Sequence, residues 1–115
     1  MKKFIISIDQ GTTSSRAILF NLKGQPVYIS QTEFTQYFPK DGWVEHNPEE
    51  IWKTTLKVLK NVINKSKRLR GKILTIGITN QRETTILWDK ITGKPVYNAI
   101  VWQDRRSSEY CKKLI

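Results

Sequence analysis

The chain has 115 residues and a formal net charge of +10, with 20 lysines and arginines against 10 aspartates and glutamates. This length accommodates one small domain with a single hydrophobic core, and it excludes a complete multidomain enzyme within these residues. The short apolar run at residues 4–8 excludes a membrane span, and the single cysteine excludes an internal disulfide, so we expect a cytoplasmic protein without membrane insertion.

The first third of the sequence predicts three strands joined by tight turns. Residues 4–9 are apolar and β-branched, as a central strand would be, and the apolar pattern resumes over residues 16–21. A turn at residues 21–24 leads into a loosely alternating segment at residues 26–33. Because a short turn connects them, we expect the second and third strands to pair as an antiparallel hairpin.

A helix is predicted after an irregular stretch that ends at Asn47. Asn47 can cap this helix, Pro48 takes the first helical position, and Glu50 stands three residues after the cap. Apolar residues recur at helical spacing from there to about Lys65, which predicts one buried face.

The remaining residues predict further strands and a last helix. The strands are expected at residues 73–78, 84–88 and 96–102, and the helix at residues 103–115, beginning with Asp104. This order predicts an α/β fold with a mixed sheet and flanking helices. The last helix reaches the final residue without a glycine stop or a polar tail. We therefore expect residues 1–115 to be an incomplete domain without an internal boundary.

The segment IDQGTTSSR, residues 8–16, combines one glycine with four consecutive hydroxyl residues. Backbone N–H groups near Gly11 can approach a phosphate closely, and the hydroxyls can donate to its oxygens. Asp9 would repel that phosphate unless a divalent cation lies between them, and Mg²⁺ is commonly held by one or two carboxylates together with phosphate oxygens. A polar hairpin turn without a ligand explains the same residues.

A second candidate site contains Arg82, Glu83 and Trp102. Arg82 offers several donors and Glu83 several acceptors at the end of a predicted strand, and adjacent hydroxyls of a polyol require both. A surface ion pair is the alternative explanation for these two residues. Trp102 could lie against the carbon side of a small polyol or simply belong to a core. Residues 104–106 are interpreted as a helix start beside this site.

The strand–Asp-x-Gly-Thr-Thr–strand unit resembles the first phosphate loop of the actin, hexokinase and Hsp70 ATPase superfamily. Within that superfamily the sequence is similar to the FGGY family of sugar and polyol kinases. Matching segments follow in order as GWVEHNP at residues 42–48, GITNQRETT at 77–85 and NAIVWQDRR at 98–106. The segments ITNQRETT and WQDRR are most similar to family members that phosphorylate glycerol. The resemblance implies the N-terminal portion of the first kinase domain, which is a partial ribonuclease H-like domain.

The resemblance also implies an activity and its site residues. The activity is ATP-dependent phosphorylation of glycerol, with Mg²⁺ held on the side of Asp9. The residues that contact the phosphates of ATP are Thr12, Thr13, Ser14 and Arg16. The residues that contact glycerol are Arg82, Glu83 and Trp102. The proton-accepting carboxylate and the adenosine pocket are expected beyond residue 115, in the same or a separate chain, so residues 1–115 alone are expected to be inactive.

Two alternatives remain open at this level. The first is a segment of another FGGY kinase that acts on a different sugar or polyol. The second is a basic nucleic-acid-binding or nuclease module in which Asp9, Glu83 and Asp89 are metal carboxylates. We expect no nucleic-acid partner, because no aromatic residues alternate with the lysines of the predicted helix, which is typical of a solvated helix face.

Overall fold

The computed structural model describes residues 1–115, which form six strands and two α-helices. In chain order these are β1 (Lys2–Gln10), β2 (Ser14–Asn21), β3 (Pro26–Glu33), β4 (Glu45–His46), α1 (Pro48–Arg68), β5 (Gly71–Thr79), β6 (Ala99–Ile100) and α2 (Ser108–Lys113). Neither helix has the length and apolar character needed to cross a membrane. The backbone divides into a first unit, residues 1–34 and 51–81, and a second unit, residues 35–50 and 82–115.

The first unit contains a four-stranded mixed sheet with the order β3-β2-β1-β5. β1 pairs antiparallel with β2 and parallel with β5, while β2 and β3 form the expected antiparallel hairpin. The prediction of a mixed sheet is therefore confirmed, and so are the strands predicted at residues 4–9, 16–21, 26–33 and 73–78. Each observed strand except β3 is two or three residues longer than predicted.

The hydrophobic core of the first unit lies between one face of the sheet and α1. Alternate residues of the two central strands are buried against the helix, as the twofold periodicity of a strand requires. The buried members of this core are Phe4, Ile6, Ile8, Ala17, Leu19, Val58 and Val62. Full burial of each larger aliphatic side chain contributes about 1.5–3 kcal/mol, so this layer is the main source of stability for the unit.

The start of α1 confirms the predicted cap. Asn47 Oδ1 accepts a hydrogen bond from the backbone N–H of Glu49 at 2.9 Å, which satisfies one of the free N–H groups of the first turn. The Glu50 carboxylate accepts hydrogen bonds from the Tyr37 hydroxyl and, at 2.9 Å, from the Thr35 N–H. The helix continues to Arg68, three residues past its predicted end.

Two strand predictions in the second unit are wrong. Residues 84–88 and 96–102 form only the isolated bridges Thr85–Ile100 and Trp88–Pro95 and the two-residue strand β6, which pairs antiparallel with β4. The apolar side chains between the bridges are exposed, among them Leu87, Trp88, Val96 and Tyr97. Without a buried face, the apolar alternation does not produce a continuous ladder of hydrogen bonds.

The helix predicted at residues 103–115 is confirmed, but its predicted bounds are wrong. Only Ser108–Lys113 is helical, with Ser107 at the cap position. Asp104 does not start a helix, because its carboxylate accepts hydrogen bonds from the backbone N–H groups of Val44 at 2.7 Å and Arg106 at 2.9 Å. Aspartate side chains compete with helical hydrogen bonding in this way, and residues 102–103 and 106–107 form turns on either side of Asp104 and Arg105.

The close approach of β5 to β1 gives a stability prediction for Gly71. A Cβ atom at Gly71 would lie 2.1 Å from Cε2 of the buried Phe4 ring, whereas a Cβ atom at Gly77 in the same strand meets nothing within 4 Å. Gly71→Ala should therefore destabilise the protein by about 1–3 kcal/mol through overpacking. Gly77→Ala is the control and should change stability by less than about 1 kcal/mol. Equal urea-unfolding midpoints for the two variants would contradict this packing.

Candidate functional site

The connection between β1 and β2 is a tight turn that presents hydroxyl residues at its tip. The backbone N–H of Gly11 donates to the Ser14 carbonyl at 3.0 Å and closes the turn. Thr13 is exposed, and its backbone carbonyl accepts a hydrogen bond from the Phe34 N–H at 3.3 Å. The backbone N–H of Thr13 has no acceptor within the chain, so it is available to an external anion.

The two serines that follow point into the protein. Ser14 is 8% exposed, and its hydroxyl accepts a hydrogen bond from Gln31 Nε2 at 2.7 Å, which leaves the serine proton available for donation. Ser15 is fully buried and lies 2.8 Å from the Thr54 hydroxyl of α1. Its hydroxyl also donates to Gln10 Oε1 at 2.7 Å.

This polar network beneath the turn was missed by sequence reasoning. Thr55 of α1 joins it by donating to Gln10 Oε1 at 2.9 Å, so α1 and the ends of β1 and β2 are linked by hydrogen bonds. The signal in the sequence was weak. Thr54 and Thr55 interrupt the apolar stripe of the helix about two turns after its start, where a purely packing face would carry aliphatic residues.

Asp9 and Arg16 lie directly opposite each other on β1 and β2. Arg16 Nη2 is 2.5 Å from Asp9 Oδ2, and the two side chains are 41% and 35% exposed. The second carboxylate oxygen, Oδ1, has no hydrogen-bond partner in the chain. The structure thus pairs Asp9, which was predicted to face a metal ion, with Arg16, which was predicted to contact phosphate.

Arg82 and Glu83 form an exposed turn after β5. They do not form the surface ion pair that was the alternative interpretation of these residues, and neither side chain has a partner in the chain. Glu83 has a positive φ of 57°, in the left-handed region that residues other than glycine rarely adopt. Such conformations concentrate at ligand-binding sites, where the surrounding structure maintains them.

The backbone after this turn is tied to the segment that carries Trp102. Thr85 and Ile100 exchange hydrogen bonds of 3.1 and 3.2 Å, and Ile100 also lies opposite Glu45 of β4. We call this arrangement of β4, β6 and Thr85 the β4–β6 frame. Trp102 follows it directly and is 53% exposed, although its neighbour Val101 is buried. Trp102 is therefore not buried within residues 1–115.

A buried ionic network supports the β4–β6 frame. Glu45 is 1% exposed and accepts hydrogen bonds from Tyr97 Oη at 2.8 Å, Asn98 Nδ2 at 3.0 Å and Arg106 Nη2 at 2.7 Å. Arg106 Nε also donates to both carboxylate oxygens of Asp104, at 2.9 and 3.0 Å. The guanidinium lies over the Trp43 ring, 3.8 Å from its centroid, which covers one face of the cation.

The network shifts the ionisation of all three charged groups. Burial alone would raise the pKa of Glu45, but the hydrogen bonds from Arg106, Tyr97 and Asn98 outweigh it and hold that pKa below its ordinary value. The pKa of Asp104 is lowered in the same way, because the hydrogen bonds from Arg106 outweigh burial. The hydrogen bond to Asp104 raises the pKa of Arg106. All three groups are therefore charged at neutral pH.

A pH-dependent stability follows from the lowered pKa of Glu45. Its unfolded-state pKa is about 4.3, so its contribution to stability is complete above that pH and is lost as the pH falls through the lower folded-state value. Glu45→Gln should reduce the free energy of unfolding by about 1–3 kcal/mol near neutral pH, and this deficit should shrink below about pH 4. The control is Glu109→Gln, whose exposed carboxylate lies 3.5 Å from Lys112. A deficit independent of pH in denaturant titrations would be evidence against the network.

No group of three histidine, cysteine, aspartate or glutamate side chains is placed to hold a metal ion by itself. A cation at Asp9 would therefore need ligands from a bound phosphate or from water. Asp9 fits such a role, because its half-exposed carboxylate has one oxygen without a partner and lies beside the turn with an available backbone N–H.

The chain was compared with known proteins and structures. Residues 4–115 match the model of the FGGY family of carbohydrate kinases, N-terminal domain. The chain is 60% identical over 99% of its length to a glycerol kinase of Bacillus licheniformis, of which it spans 23%. A Plasmodium falciparum glycerol kinase solved with ADP matches with a TM-score of 0.90 and 39% identity over 98% of this chain and 23% of its own. A xylulose kinase from Rhodospirillum rubrum matches with a TM-score of 0.88 and 26% identity, over 96% of this chain and 23% of its own.

Proposed function

The chain belongs to the FGGY family of carbohydrate kinases, and we propose that the full-length protein carrying it is a glycerol kinase. The reaction transfers the γ-phosphoryl group of ATP to a terminal hydroxyl of glycerol and yields sn-glycerol 3-phosphate. Support comes from the names of the Bacillus relatives at 60% identity and from the structural match to a glycerol kinase solved with ADP. The chain spans 23% of the length of these relatives, so the activity is assigned to the full-length protein.

The turn at residues 11–13 supports the nucleotide half of this proposal. Thr12 and Thr13 lie at its tip, the Thr13 N–H is available to an anion, and the Ser14 hydroxyl retains a proton to donate. Phosphoryl transfer depends mainly on positioning and on stabilisation of charge at the transferring group. We assign the phosphate contacts to Thr12, Thr13, Ser14 and Arg16, the last of which supplies a permanent positive charge on the neighbouring strand.

Asp9 is the residue that we assign to Mg²⁺. When bound, this ion would neutralise charge on the phosphates and remove the repulsion between them and the carboxylate. The salt bridge to Arg16 orients the Asp9 side chain on β1. The Oδ1 atom, which does not contact Arg16, would then be the atom that holds a hydrated cation.

The second unit supports the polyol half. The backbone pairing of Thr85 with Ile100 is the observation that carries this assignment, since it holds the Arg82–Glu83 turn and Trp102 in one hydrogen-bonded frame. The guanidinium can donate to a hydroxyl oxygen, the Glu83 carboxylate can accept its proton, and the indole can cover the carbon chain. None of the carboxylates in this frame is assigned the role of accepting the proton of the attacking hydroxyl.

The function is tested by comparing acceptor substrates with the full-length protein. We expect ATP-dependent phosphorylation of glycerol at roughly 1–100 turnovers per second, with kcat/KM for glycerol well above that for xylulose and gluconate. A preference for either sugar substrate would favour another FGGY kinase over a glycerol kinase. Absence of phosphorylation of all three acceptors would contradict the proposal.

The substrate assignment predicts the effect of changes at Arg82 and Glu83. A hydrogen bond to a charged group contributes about 1.5–3 kcal/mol, so Arg82→Ala and Glu83→Ala should each raise the KM for glycerol about tenfold or more. Arg105→Ala removes an exposed arginine of the same unit and is the matched control, with a KM that should stay near that of the unmodified protein. A KM for glycerol within about twofold of the unmodified value in both Arg82→Ala and Glu83→Ala would remove these residues from the site.

A further inference from the structure

We infer that Glu45, Asp104 and Arg106 are positioning residues for the polyol site. They fix the backbone of residues 98–106 and so determine where the Trp102 side chain stands relative to the Arg82–Glu83 turn. The inference rests on the proposed function, since it concerns the same polyol site. Residues of the GWVEHNP and WQDRR segments that do not themselves contact the polyol thereby acquire a role in placing Trp102.

The network bridges two segments of backbone on either side of Trp102. Before Trp102, Val101 N–H donates to the Val44 carbonyl at 3.1 Å, and after it, Arg105 N–H donates to the Gly42 carbonyl at 2.7 Å. Val44 N–H in turn donates to the Asp104 carboxylate at 2.7 Å. The loop that carries Trp102 is therefore anchored at both ends to residues 42–44.

The Arg106 guanidinium links β4 to the loop that these backbone hydrogen bonds hold. A single terminal nitrogen of its guanidinium, Nη2, lies 2.7 Å from Glu45 on β4 and 2.8 Å from Asp104 in the loop. Lysine could supply the same charge but not the planar fork that contacts both carboxylates while lying flat on the Trp43 ring. The geometry of the guanidinium is thus what couples β4 to the loop.

The need for such anchoring comes from the exposure of Trp102. Trp102 is 53% exposed, so a core surrounds only part of its side chain, and the position of its backbone contributes to where the ring stands. Small displacements of groups that position a substrate reduce activity strongly. A buried ion pair adds little net stability compared with well-packed apolar residues, which fits a role in geometry better than a role in stability.

The test is kinetic and uses the full-length protein with the variants Glu45→Gln and Arg106→Lys. We expect the KM for glycerol to rise about fivefold or more in both, while the KM for ATP stays within about twofold, because only the polyol side is displaced. Lys112→Gln removes the exposed ion pair with Glu109 and serves as the control without an expected effect. An unchanged KM for glycerol in both folded variants would overturn the inference.

Two further measurements keep the outcomes distinct. Trp102→Ala tests the proposed function itself. If the KM for glycerol of this variant is unchanged, the polyol site is wrongly placed. If its KM is raised while the KM values of Glu45→Gln and Arg106→Lys are unchanged, only the positioning role is refuted.

Should Glu45→Gln and Arg106→Lys fail to fold, hydrogen exchange of the unmodified protein tests whether the backbone around Trp102 is fixed. The hydrogen-bonded backbone amides of Ile100, Val101, Asp104 and Arg105 should be protected from exchange, and exchange of these amides at the rate of an unstructured loop would overturn the inference.

Discussion

A carboxylate buried as deeply as that of Glu45 requires donors for both of its oxygens, because an unpaired buried charge costs several kcal/mol. In the second unit this requirement brings together Tyr97, Asn98 and Arg106, which lie 52, 53 and 61 residues further along the chain. Strand β4 has only two residues and β6 only two, so backbone pairing alone is a weak constraint. The ionic network therefore gives this part of the chain its defined conformation.

The first unit is organised differently, around apolar burial between its sheet and α1. Polar groups lie between the end of β1 and the start of β2, where some are buried and others are exposed. Ser15 is turned toward the helix and fixes the base of the turn, whereas Thr13 is exposed at the tip. The same run of hydroxyl residues thus contains a buried group at Ser15 and an exposed one at Thr13, because Ser15 belongs to β2 and lies against α1, whereas Thr13 lies in the turn before that strand.

How much could be predicted from sequence depended on whether local periodicity coincided with burial. The central strands and α1 were predicted because their apolar residues face one core, and the Asn47 cap is a local signal. Residues 84–88 have the same apolar composition but no buried face, and Asp104 resembles a helix start although its carboxylate binds the backbone N–H of Val44 sixty residues away. Contacts at such separations leave no periodic trace in the sequence. Side-chain chemistry alone allowed both a ligand site and a simpler structural explanation for the residues of each candidate site, and only the family resemblance favoured the ligand roles; the comparisons confirm that family.

The central claim is that the β4–β6 frame presents Arg82, Glu83 and Trp102 to a polyol. The most direct measurement is a crystal structure of the full-length protein with glycerol and ADP. The account predicts that Arg82 and Glu83 lie within hydrogen-bond distance of adjacent glycerol hydroxyls, about 2.6–3.2 Å, with the Trp102 ring against the carbon chain. Glycerol bound at another place, with these three side chains directed to solvent, would contradict it.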